Sequence, residues 1–232
     1  CRSLMFFCAT VALTTQQSLA DENEDVAYYS ERAVELLRDA ISRETAHGQG
    51  LVPAYAESLK QVFLEAGFPP ETLTIVPYGE TASLVVRYEG DGSNGREPIL
   101  FSSHMDVVPA DPESWLRHPF ELQIDDTFFY GRGVLDNKFD VAILTTLFVW
   151  LKESSFVPNR DLVLAFTGDE ESFQETVQQL ARDYRDLVDA EYALVVDGGG
   201  GVLNDAGEAI QFQVGFAEKT LSLIHISEPT RH

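Results

Sequence analysis

Ile99-Leu100-Phe101-Ser102-Ser103-His104-Met105-Asp106 is an apolar run that ends abruptly on a histidine and an acid. The pattern recurs twice downstream. Leu162 to Phe166 runs into Thr167-Gly168-Asp169-Glu170-Glu171, and Tyr192 to Val196 runs into Asp197 and four glycines. Short apolar, β-branched runs bounded by turn residues read as strands, and Leu84-Val85-Val86 reads as a fourth. Helical spacing lies between them. Ala27 to Arg43 places Ala33, Val34, Leu36, Leu37 and Ile41 on one face, and Tyr55 to Ala66 stops at Gly67 and Pro69-Pro70. Val141 to Leu151 reads as a buried helix and Glu175 to Tyr184 as another. Alternating strands and helices predict an α/β fold, a mixed and largely parallel sheet flanked by helices. Ligands in such folds sit beyond the carboxyl ends of the strands. The acids and the histidine are therefore expected along one edge.

Carboxylates crowded in this way are costly without a balancing cation, and a divalent metal is the economical answer. A further acid stands in Tyr130-Gly131-Arg132-Gly133-Val134-Leu135-Asp136-Asn137-Lys138, with Asp136 a candidate N-cap for the long helix. The glycines there lack the third member of a dinucleotide loop, and a phosphate would meet an acidic neighbourhood. Residues 89–95, EGDGSNG, read as a hairpin or loop whose acids are out of register for calcium. For any one acid alone, the alternative is a helix cap or a solvated loop.

Composition narrows the partners. With 16 basic against 38 acidic side chains in 232 residues, the net charge is −22, which repels nucleic acid and anionic membrane surfaces. Arg2, an apolar run from Leu4 to Leu13 and Ser18-Leu19-Ala20 describe a signal peptide over residues 1–20, with a buried N-terminal helix as the alternative. The run is too short for a stable membrane anchor. That leader implies a secreted or periplasmic protein. Both cysteines, Cys1 and Cys8, fall within it, which removes disulfides, thiol nucleophiles and cysteine-held zinc from the rest. Residues 221–231, LSLIHISEPTR, resemble the translation of a sequencing adapter, with a C-terminal strand as the alternative. His225 and His232 are accordingly set aside. The expected organisation is a catalytic-domain portion over 21–214, the start of a further domain at 215–220, and an adapter-derived tail at 221–232.

SHMDVVPAD from Ser103, YGRGVLDNK from Tyr130, FTGDEES from Phe166 and VVDGG from Val195 together resemble the co-catalytic zinc peptidases of the M20 type. That group includes glutamate carboxypeptidase, carboxypeptidase S-like enzymes, acylaminoacid hydrolases and succinyl-diaminopimelate desuccinylase. Trp115 and Pro119-Phe120 fall where the group often carries a W…PF segment. The resemblance implies a zinc exopeptidase-like catalytic domain with two zinc ions, cobalt or manganese also being accepted. His104 and Asp197 would ligate one ion, Glu171 the other, and Asp136 would bridge both. Asp106 would orient His104, and Glu170 would be the general base. Substrates would be peptides, cut at a C-terminal or dipeptide amide bond, or N-acyl amino acids. A catalytically dead binding module is the reading from another class.

Phe139 and Asp140 stand where the group usually has small residues, and Ser172-Phe173 where it has glycine. His118 is read as structural or substrate-adjacent, His47 as solvated, and Lys138 as an ion-pair partner. The group's last zinc ligand is a histidine far downstream, and none is credited after His118. A lid or dimerisation domain, through which the parent would form a homodimer, is expected from about Gly215. The 232-residue chain itself is expected to be inactive.

Overall fold

The computed structural model describes residues 25–197 and 200–213. The leader, the segment from 214 and the tail, all read from sequence, lie outside the described residues.

Helix α1 spans 25–41, and α2 spans Val52–Glu65. Helix α2 shows why these residues form a helix. Val52, Tyr55, Ala56, Leu59 and Phe63 recur at helical spacing and are buried as one face, and a proline opens the first turn, where no N–H is needed. The stop is equally local. Gly67 turns to φ +87°, its N–H bonds to Leu64 O at 3.0 Å, and the Phe68 N–H bonds to Phe63 O at 3.0 Å. This closes the helix in a Schellman motif. The Phe63 and Phe68 rings then meet at 5.3 Å.

Strands β1 (Leu73–Tyr78), β2 (Thr81–Tyr88), β3 (Ile99–His104), β6 (Leu162–Thr167) and β7 (Tyr192–Val195) form one sheet in the order β1-β2-β6-β3-β7. Short hairpins β4–β5 (Gln123–Ile124, Phe129–Tyr130) and β8–β9 (Gly200–Leu203, Ala209–Gln213) lie apart from it. The sheet is mixed. β1–β2 and β2–β6 pair antiparallel, whereas β6–β3 and β3–β7 pair parallel. The parallel half carries all three strand ends singled out in the sequence. Segment 89–95 is a loop and no hairpin, because β6 sits between β2 and β3.

Helices cover both faces, so the alternating residues of each strand divide between two cores. Leu84, Val86, Leu164 and Phe166 pack with α2 and with Phe148 of α3 (Lys138–Glu153). Val85, Val163 and Ala165 face Leu180 of α4 (Glu175–Asp183), with Leu187 and Val188 of α5 (Arg185–Val188) beside them. A strand buried on both sides needs apolar residues throughout. A third cluster, Leu37, Ile41, Leu122 and Ala142, fixes α1 against α3. Each large side chain so buried contributes about 1.5–3 kcal/mol. Among the described residues, no helix is long and apolar enough to cross a membrane.

Candidate metal centre

Parallel register explains why the site forms. In β3 and β6, His104 pairs with Thr167, and in β3 and β7, Ser102 pairs with Val195. Two residues further on, His104 and Asp197 therefore stand level at the carboxyl edge, and the turn from Gly168 to Glu171 rises beside them. Gly168 is required there, since a Cβ would lie 2.4 Å from Ala82 O and from Thr81 Oγ1. Asp136 arrives from the turn that enters α3.

The sequence expected Asp136 to cap that helix, and this is corrected. The N-cap position belongs to Asn137, without a side-chain cap bond, and the carboxylate of Asp136 points to the histidine. His104 Nε2 lies 2.9 Å from Asp136 Oδ1 and 3.7 Å from Asp197 Oδ1. Two groups of side chains could hold a metal ion, His104–Asp136–Glu171 and His104–Glu170–Asp197, each with its ligand atoms within 4.8 Å of one another. All five residues are thus brought together around one imidazole. Among the described residues no lysine or arginine forms a salt bridge with any of the four acids. One imidazole and several carboxylates, without cysteine, is a donor set that suits a divalent ion of zinc type.

Asp106 is buried beneath this group. Its Oδ1 stands 3.3 Å from His104 Nδ1, and its two oxygens accept the backbone N–H groups of Glu170 and Glu171, each at 3.0 Å. The backbone carbonyl oxygen of Asp106 also lies 3.1 Å from His104 Nδ1, so this one residue fixes the imidazole and, through its carboxylate, the turn carrying both glutamates. Asp169, the other acid of that turn, faces away from the centre. It accepts the N–H groups of Glu175 and Thr176 at 2.8 and 3.0 Å, and the Thr176 hydroxyl, at the start of α4.

Burial disfavours a charged His104, but hydrogen bonds to Asp106 and Asp197 and the charges of both acids outweigh it. Its pKa rises to about 11, so an arriving metal ion must displace a proton. Burial and neighbouring acids hold Glu170 and Glu171 above the usual carboxylate range. Asp197 is held below it, chiefly by its hydrogen bond with His104.

Three contributors escaped the sequence reading. Asp140, half-buried, is lifted to about 6 by burial and by the charges of Asp197 and Asp136. Gln174 donates from Nε2 to Glu170 Oε1 at 2.9 Å. Asn137 donates to Val196 O at 2.9 Å, steadying the strand end before Asp197. Only Asp140 carried a signal, as a departure from small residues. Lys138 is an anchor whose ammonium rests on two carbonyl oxygens, Ala40 O at 2.8 Å and Arg43 O at 2.5 Å, where an ion pair was expected. His47 is exposed, its ring edge-on to Phe173 at 5.0 Å. His118 accepts the Phe120 N–H at 3.2 Å.

Residues 100–229 match the model of peptidase family M20/M25/M40. The chain belongs to that family. It is 33% identical over 132 residues to the human N-fatty-acyl-amino acid synthase/hydrolase PM20D1, covering 57% of this chain and 25% of that protein. It is also 33% identical over 159 residues to a probable succinyl-diaminopimelate desuccinylase of Staphylococcus aureus, covering 67% of this chain and 37% of that protein. The M20 chain therefore spans less than two-fifths of the length of either relative. Among solved structures, the di-peptidase Dug1p of Saccharomyces cerevisiae superposes with a TM-score of 0.62 at 21% identity, over 78% of this chain and 41% of that one. That likeness concerns the fold.

Proposed function

We propose that this chain carries the metal- and base-bearing part of an amide hydrolase that works with two zinc ions on peptides, cutting at a C-terminal or dipeptide amide bond. The supporting observation is the convergence of His104, Asp136, Glu170, Glu171 and Asp197 at the carboxyl edge of the parallel strands. His104 and Asp197 would hold one ion and Glu171 the other, with Asp136 serving both. Cobalt and manganese suit the same donors. Ions bound there supply Lewis acidity toward the scissile carbonyl and lower the pKa of water.

The chain's own residues do the rest. Asp106 holds the Nδ1 side of His104, leaving Nε2 as the ligating nitrogen. Glu170, steadied at Oε1 by Gln174, takes the proton of the attacking water on its carboxylate and delivers it to the leaving amine nitrogen. Burial, which raises the Glu170 carboxyl above its ordinary range, favours its taking up that proton. Glu170→Gln keeps the shape and removes the base. Turnover of the full-length enzyme should fall by about a hundredfold to ten-thousandfold, with zinc content unchanged. Undiminished turnover would remove Glu170 from this role.

A second reading, an N-acyl-amino-acid hydrolase, is supported by the identity with the human fatty-acyl-amino acid enzyme. Comparing dipeptides with N-acyl amino acids as substrates separates the two. A decayed binding module is disfavoured because both the base and the shared acid are present. Among the described residues, the second ion has Asp136 and Glu171 as ligands in this assignment. The 232-residue chain should therefore bind that ion weakly and be inactive without a further histidine.

A further inference from the structure

Among the described residues, two other than glycine adopt the left-handed backbone region, Ser155 at φ +57° and Gln174 at φ +54°. That region crowds a Cβ against the following carbonyl, so it is left mostly to glycine and asparagine. Ser155 has a local reason. It closes α3, with its N–H on Lys152 O at 3.1 Å and the Phe156 N–H on Leu151 O at 3.0 Å, where helices commonly end in this way. Gln174 opens a helix instead.

A residue in that position ordinarily stands in extended backbone and bonds its side chain to the first helical turn. Gln174 does neither. It is the N-cap of α4 without a side-chain cap bond, and the Asp169 carboxylate takes the N–H groups of Glu175 and Thr176 at 2.8 and 3.0 Å. The Gln174 N–H itself reaches Asp169 O at 2.9 Å. Asp169 therefore pins the backbone on both sides of Gln174 and relieves its side chain of capping. That side chain turns back to the base, Nε2 donating to Glu170 Oε1 at 2.9 Å. Glycine would be less strained at this position and asparagine a better cap. What glutamine adds is an amide long enough to reach the carboxylate four residues earlier. A bond to one carboxylate oxygen fixes the group and leaves the second oxygen to exchange a proton.

We propose that Gln174 is a positioning residue that holds the Glu170 carboxylate in its proton-transferring orientation, and that the left-handed backbone is kept for this one amide. Local preferences broken without a local gain are expected at functional positions. The proposal rests on the amide-hydrolase reading with Glu170 as base, and adds a residue that acts through that base.

The test is Gln174→Gly in the zinc-loaded full-length protein, assayed on whichever of the dipeptide and N-acyl substrates the wild type hydrolyses. Glycine removes the amide and the backbone strain together, so activity and stability should part. The expected result is a fall in kcat of about tenfold to a hundredfold, the size of one hydrogen bond to a charged group. KM and bound zinc should stay unchanged, and the urea midpoint should hold or rise. Added to Glu170→Gln, the same substitution should lower kcat no further. Wild-type kcat in Gln174→Gly, with Glu170→Gln slowed, overturns the proposal and leaves the base in place. A loss of kcat with a lower urea midpoint also overturns it, because the glutamine would then be holding the turn. So does a further loss in the Glu170→Gln background, which would have Gln174 acting apart from the base. Full turnover in Glu170→Gln overturns the base reading itself, and the proposal with it.

Discussion

Asp106 concentrates much of the centre's order in one carboxylate. It faces the Nδ1 side of His104 and accepts two adjacent backbone N–H groups. An amide in its place presents a single carbonyl oxygen, so Asp106→Asn must leave one of those N–H groups without an acceptor. Zinc affinity should fall about tenfold to a hundredfold, as when a partner of a metal ligand is lost, and titration against a competing chelator would read it. The sequence placed His104, Glu170, Glu171 and Asp197 along one edge because each follows an apolar run, whereas Asp136 joined them only through the family resemblance. The apolar run alone did not separate Asp169 from its neighbours; the resemblance did, by giving roles to Glu170 and Glu171 only. Which of three consecutive acids faces the centre depends on how the chain turns after Thr167, and here the start of α4 captures Asp169. Asp140 and Gln174 were also hidden, since only the folded turn brings them to the site.

At the scale of elements, two joints hold the site-bearing turns. Gly168 has no room for a side chain against Ala82 O and Thr81 Oγ1. Gly168→Ala should cost about 3 kcal/mol by forcing β2 and the turn apart, read from the shift of a urea midpoint. Lys138, fully buried, ties the end of α1 to the start of α3. Lys138→Met should cost about 1–3 kcal/mol, because two buried carbonyls lose their donor. Hairpin β4–β5 carries its own signal. Backbone N–H groups of Thr127 and Phe128 and the Tyr130 hydroxyl hold Asp125 down to about 2. A depressed carboxylate adds stability above its unfolded value of 3.8, and that contribution is lost as pH falls through about 2. The amide resonances of Thr127 and Phe128 should therefore titrate with a midpoint near 2, and a midpoint near 4 would contradict the turn geometry. Long periodic helices and apolar strands were legible in the sequence. Strand β1 was not, because Pro77 and mixed polarity mark a strand tolerable only at a sheet edge, where it lies. The two-residue strands β4 and β5 carry no period to detect.

Across the whole molecule, function depends on topology more than on any one motif. His104, the Glu170–Glu171 turn and Asp197 are far apart in sequence, and the parallel register of β6, β3 and β7 brings them level, with Asp136 added from the turn into α3. The antiparallel half, β1 and β2, fills the sandwich without supplying a ligand. This division accounts for a mixed sheet whose parallel part alone follows the rule that sites lie at carboxyl ends. The most direct test counts the zinc held by the purified chain after dialysis, for wild type and for His104→Ala. One tightly held ion per wild-type chain, with a second lost at low micromolar zinc and none retained by His104→Ala, is the expected result. A wild-type chain that holds no zinc, or a His104→Ala chain that holds as much, would contradict the metal centre.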